Sequence, residues 1–268
     1  MIRKPAVAGQ FYEGNPDVLR ADVEKHLDPS AEKQDVLACM CPHAGYMYSG
    51  DVAGAVLSSI NIPETVIVVS FSHRGFGERY AVWPDGAWQT PLGDVAVDAN
   101  LAAKLIDASP LLSGDTDAFM LEHSGEVMLP FLQVLRPDVK VVMVSVSPIA
   151  ALPELQTLGS DLATALQGVT PRPLLVASSD MTHHQSASAA EKQDRLAIDQ
   201  MLKLDEVALY NVVRDRDISM CGVCPTVMVI ACVKALGATG GTLVRYENSG
   251  KATGDRSSVV AYAGLVFT

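Results

Sequence analysis

A chain of 268 residues, 49% of them apolar, is long enough to bury a sizeable core as one large α/β domain or two small ones. Its formal net charge of −11, with no local cluster of Lys and Arg, argues against a nucleic-acid footprint. No apolar signal segment follows the basic residues 1–5 and no apolar run is long enough to cross a bilayer, so a cytoplasmic protein with no membrane or nucleic-acid partner is expected.

The predicted elements alternate strand and helix. Asn15-Pro16-Asp17 opens a helix running to Leu27, with Pro suited to the first turn. Residues 35–40 are short and apolar, a strand that Pro42 must end because it cannot donate to a ladder. His43 is therefore delivered to a strand end, where open α/β sheets place their ligands. A small-residue helix over 50–60 follows, then a buried strand over 65–69 running into Ser72-His73-Arg74-Gly75. Residues 80–94 hold both Trp residues, Trp83 and Trp88, in a loop or short hairpin, read either as a cover over the site or as a satellite of the core.

Helices over 99–108 and 122–135 flank the way to a third strand over 139–144, with a helix over 152–166 after it. A fourth strand, 174–178, ends in Ser179-Asp180-Met181-Thr182-His183-His184, so a carboxylate and two imidazoles arrive together. Helices over 189–202, 206–214 and 226–236 precede strands at 242–246 and 259–266, which read as an antiparallel pair because no helix separates them. With no repeat and no linker, residues 1–268 read as a single α/β domain: a mostly parallel or mixed central sheet with helices on both faces.

His43, His73, Asp180 and His183 are nitrogen and oxygen donors from separate loops, and Cys221 offers sulfur near a helix start, where orphan amides lower a thiol pKa. Such mixed donors suit iron, zinc or copper more than magnesium or calcium. Cys221-Gly222-Val223-Cys224 also reads as a redox CxxC, a weaker explanation because it leaves the histidines at other strand ends unused. Five cysteines at irregular spacing argue against a disulfide framework, and Cys39, Cys41 and Cys232 read as core thiols. His26 reads as a surface residue and His184 as a bystander, while His123, in Glu122-His123-Ser124-Gly125-Glu126, is either a helix-capping element or a pocket acid/base group.

In order along the chain, Pro5-Ala6-Val7-Ala8-Gly9-Gln10-Phe11-Tyr12, Pro42-His43-Ala44-Gly45-Tyr46, Ser72-His73, Thr90-Pro91-Leu92-Gly93-Asp94, Glu122-His123-Ser124, Ser178-Ser179-Asp180-Met181-Thr182-His183, Cys221-Gly222 with Pro225, and the closing Ser257-Ser258-Val259 resemble the signatures of the Memo family, also called AmmeMemoRadiSam system protein B. Cys224 and Met128 stand where some relatives carry His. The family is similar in fold to the class III extradiol dioxygenases, whose iron is held by two His and one carboxylate. The resemblance implies His43, His73 and Cys221 as metal ligands, with Cys221 replacing the carboxylate, and Asp180 and His183 as neighbouring site residues. It implies a metal-dependent, dioxygenase-like redox enzyme using iron, with copper or zinc as alternatives. On that expectation the Asp-x-x-His spacing would let Asp180 orient His183 as general acid/base, with His123 as a further catalytic candidate. The rival expectation is a non-catalytic member of the system, binding a small molecule, a peptide or a radical SAM protein in the same cleft.

Overall fold

The computed structural model describes all 268 residues. The chain opens with β1 (Ile2–Arg3) and α1 (Pro16–His26), then β2 (Ala38–Cys41), α2 (Tyr46–Ser58) and β3 (Thr65–Phe71). Three short strands follow, β4 (Tyr80–Val82), β5 (Ala87–Thr90) and β6 (Gly93–Ala96), then α3 (Ala99–Ala108), β7 (Ser113–Gly114) and α4 (Leu129–Leu135). The second half runs β8 (Lys140–Val146), α5 (Leu152–Leu166), β9 (Leu174–Ser178), β10 (His183–Gln185), α6 (Ala187–Leu202), α7 (Glu206–Asp215) and α8 (Val223–Ala235). It closes with β11 (Gly241–Asn248), α9 (Gly250–Thr253) and β12 (Val259–Phe267).

Four parallel strands in the order β2-β9-β3-β8 form the centre of a mixed sheet. They are buried almost throughout, which is why they read as continuous apolar runs without alternation. Antiparallel strands flank them: β4 beside β8, and β12 beside β2, with β11 and β10 both paired to β12. Helices α1, α2 and α4 pack as one group and α3, α5, α7 and α8 as another, enclosing one hydrophobic core that runs from Val7 to Phe267. The feature that matters for function is the late return of the chain: β9 inserts between β2 and β3, so the loop after it emerges between those carrying His43 and His73.

Three expectations are corrected here. The segment 122–135 is not one helix: residues 126–128 form a 3-10 turn and only Leu129–Leu135 is α-helical, because the Glu122 and Glu126 carboxylates are turned inward to collect backbone and side-chain donors. His26 is not a surface residue: its side chain is 7% exposed, with Nδ1 2.6 Å from Asp51 Oδ1. It lies so close to α2 that a Cβ at Gly50 would come within 2.6 Å of the ring, which accounts for the small residues there. The Trp-bearing segment is neither a cover for the site nor a satellite: β5 and β6 make a hairpin joined to β1, and Trp83, Trp88 and Phe119 meet edge-on at 5.6–6.0 Å within the one core.

Candidate metal centre

His43 follows β2 and is 2% exposed. Its backbone N–H donates to Asp180 Oδ1 at 2.8 Å, and its Nδ1 lies 2.8 Å from Ser178 Oγ. The Ser178 hydroxyl gives its one proton to Ser124 O at 2.6 Å, so His43 Nδ1 must be the donor and Nε2 carries the lone pair. His73, after β3, is held in the same way by a different group. Its backbone N–H and Nδ1 both donate to the Glu122 carboxylate, at 2.7 and 2.8 Å, which leaves Nε2 as its free donor atom. Glu122 also accepts the amides of His123 and Ser124, each at 2.9 Å. Burial alone would raise its pKa, but the His73 hydrogen bond and then the Ser124 amide bring it down to about 2.

The His123 ring stacks on His73 with centroids 4.5 Å apart and lies 5.5 Å from His43. Burial lowers its pKa to about 4 and pulls that of His43 down as well, so both rings stay neutral and able to ligate. Donor atoms of His43, His73 and His123 all lie within 4.8 Å of one another, a group that could hold a metal ion.

Cys221 sits just ahead of α8, its Sγ 3.2 Å from His43 Nε2 and accepting the Asp180 amide at 3.3 Å. The approach is possible because the next residue is glycine: a Cβ at Gly222 would meet Ser178 O at 2.3 Å and Ser179 Cβ at 2.4 Å. The expected lowering of the thiol pKa is reversed, since burial and then the Asp180 charge raise it and outweigh the amides at the helix start. Cys224 is turned elsewhere, its Sγ 3.8 Å from Pro148 O, and all five cysteines are free. Cys39, Cys41 and Cys232 are buried at core positions.

Asp180 is buried beside this group, 4.0 Å from His43 Nε2, and burial lifts its pKa to about 6 against the hydrogen bond from the His43 amide. His183 lies past the turn at 179–182 on β10, opposite Val260 of the antiparallel β12, not directly after a parallel strand. Asp180 does not orient it. Its amide donates to Ser219 Oγ at 2.8 Å and its Nδ1 to Ser219 O at 3.0 Å, so Ser219 holds the ring. His43, His73, His123, Asp180 and His183 line one cleft of ≈ 440 Å³, whose remaining wall includes Phe11, Tyr48, Val260 and Tyr262, with Gln10, Ser249 and Thr253 at polar positions. Reading the sequence missed Glu122, Ser178 and Ser219 as partners of the imidazoles. Glu122 alone carried a signal, a carboxylate next to a candidate His.

A model of the Memo-like protein family matches residues 3–266. The chain belongs to that family. It is 39% identical over 284 residues to a MEMO1 family protein of Methanopyrus kandleri, with 100% of this chain and 99% of the relative covered. It is also 39% identical over 271 residues to one from Aquifex aeolicus, covering 99% of each. Among solved structures, an uncharacterized protein of Escherichia coli K12 superposes with a TM-score of 0.58 at 16% identity, covering 84% of this chain and 98% of the other, a likeness of fold alone. Within this Memo-family chain no helix is long and apolar enough to cross a membrane.

Proposed function

We propose that this Memo-family protein is a metal-dependent redox enzyme of dioxygenase-like chemistry. His43 and His73 hold one metal through Nε2, and Cys221 is the third ligand. The observation that carries the reading is the paired clamp: Ser178 and Glu122 each fix an Nδ1–H, which leaves the two Nε2 atoms facing one region, with the Cys221 sulfur 3.2 Å from one of them. The donor set fits iron first, with copper or zinc as alternatives. When bound, such a metal supplies Lewis acidity and, for iron or copper, one-electron chemistry.

The chain's own residues do the rest. His183, with Nδ1–H fixed on Ser219, offers Nε2 as a general base for a substrate proton. His123, kept neutral by burial, is a second acid/base group, and Asp180 holds the His43 loop. Phe11, Val260 and Tyr262 present apolar surface to the cleft, so a small molecule with an apolar body fits it.

A second reading has its own observation. Phe76, Met120 and Leu121 are 53%, 48% and 57% exposed on the segments next to His73 and Glu122, which suits a non-catalytic protein that receives a peptide or a radical SAM partner. Metal analysis after anaerobic purification separates the two. The enzyme reading expects about one equivalent of a first-row metal, lost in His43→Ala and in Cys221→Ser. Full occupancy in the double variant would sink the ligand assignment, and metal-free wild-type protein that binds a partner would favour the second reading.

A further inference from the structure

We propose that the N-terminal arm, residues 3–12, is a positioning element of the metal centre, acting through the buried ion pair of Arg3 and Glu126. The proposal rests on the metal reading above.

Arg3 is fully buried near the start of the chain. Its Nη1 pairs with Glu126, its Nε and Nη2 donate to Phe119 O at 3.1 and 3.0 Å, and Nη2 also donates to Glu122 O. The guanidinium lies 4.4 Å over the Trp88 ring. Glu126 answers from the other side, accepting the amides of Ala6 and Val7 at 2.8 and 3.1 Å and the Tyr12 hydroxyl at 2.6 Å. One ion pair therefore joins the arm to the turn 119–126. That turn contains Glu122, which clamps His73, and His123 itself.

The arm also reaches the centre directly. The Phe11 ring is 4.7 Å from His123, Phe11 O accepts the Tyr46 amide at 2.8 Å, and Gln10 and Phe11 line the cleft. An ion pair sealed from water is a weak source of stability, since a well-packed apolar pair serves as well or better. What apolar side chains cannot do is hold carbonyls of one segment and donors of another at once, as the guanidinium fork and the carboxylate do here. The arrangement is therefore explained by geometry, and the geometry it sets is that of the Glu122–Ser124 turn.

The test uses the full chain as Arg3→Lys and Tyr12→Phe. Lysine keeps a charge for Glu126 but cannot serve two carbonyls as a fork, and Tyr12→Phe removes one hydrogen bond to the same carboxylate. Two readouts are taken well below the melting temperature: Co2+ affinity with its visible spectrum, and the imidazole 15N resonances of the metal-free protein. The expected result is Co2+ affinity about 10- to 100-fold weaker in Arg3→Lys, with an altered spectrum and displaced His73 and His123 resonances. Tyr12→Phe shifts both in the same direction by less. A lowered melting temperature with Co2+ affinity within about twofold of wild type and unmoved resonances would make the arm a structural strap only, and overturns the proposal. If wild type takes up no Co2+, the metal reading falls by itself and the resonances decide: displacement supports the arm's role, and none overturns it. If Arg3→Lys does not fold, Tyr12→Phe decides by the same readouts.

Discussion

At the scale of single residues, the centre is governed by groups that do not offer it a donor atom. A histidine presents a lone pair only on the nitrogen its neighbours leave unprotonated, and for His43 and His73 those neighbours are Ser178 and Glu122. Glu122 has the larger role, because its oxygens take His73 twice and the two amides that follow. Glu122→Gln keeps the shape but puts an NH2 group against backbone donors. We expect a loss of about 1–3 kcal/mol in stability from the unsatisfied donors, read by denaturant unfolding. We also expect Co2+ affinity about 10- to 100-fold weaker by titration. Affinity unchanged despite the stability loss would show that the clamp supports the fold and not the centre. His43 and His73 were legible because each interrupts the chain just beyond an apolar strand. Glu122 was legible only as a carboxylate beside His123; its contact with His73 spans 49 residues and no local pattern encodes it.

At the scale of elements, the decisive step is the insertion of β9 between β2 and β3. Apolar runs identified all three strands, but their order is set by crossovers whose landing point leaves no periodicity in the chain. For the same reason the convergence of Asp180 with His43 could be expected from strand ends, whereas the antiparallel β10, and with it the Ser219 partner of His183, could not. The opposite rim of the cleft, Ser249 and Thr253, is carried by the β11–α9–β12 connection, and Lys251 ties that connection to α2 by donating to Asp51 Oδ2 at 2.8 Å. His26 approaches the other Asp51 oxygen. Burial would raise the Asp51 pKa, but the Lys251 and His26 hydrogen bonds and charges bring it down to about 2 from 3.8. A carboxylate with a lowered folded pKa contributes its full stabilisation above about 3.8 and loses it as pH falls through about 2. Wild type is therefore expected to be more stable than Asp51→Asn at pH 6, by about 1 kcal/mol or less given solvent screening. The gap should close as pH approaches 2, in melting curves of the two proteins in parallel. A gap constant with pH would show that packing of α1 on α2, not charge, sets the difference.

At the scale of the whole molecule, the proposed ligands join parts of the fold that are distant in sequence. His43 follows β2, His73 follows β3 and Cys221 precedes α8, with Glu122 clamped behind His73, so one ion would cross-link two central strands, the start of α8 and the turn that carries Glu122. The unfolded chain holds these residues far apart, and binding to the native state alone adds RT ln(1 + [L]/Kd) to its stability, about 2.7 kcal/mol at a hundredfold excess over Kd. For a chain of this length that corresponds to a rise in melting temperature of about 5 °C or more. We expect Co2+ or Zn2+ to give this rise in wild-type protein by scanning calorimetry, a chelator to reverse it, and His43→Ala to show none. Mg2+ should be without effect, because two imidazoles and a thiolate do not replace the oxygen ligands it requires. An equal rise in His43→Ala would place the ion elsewhere on the acidic surface. A rise in wild type that Cys221→Ser retains but His123→Ala loses would instead assign the third ligand to the imidazole stacked on His73, leaving Cys221 as a neighbour of His43.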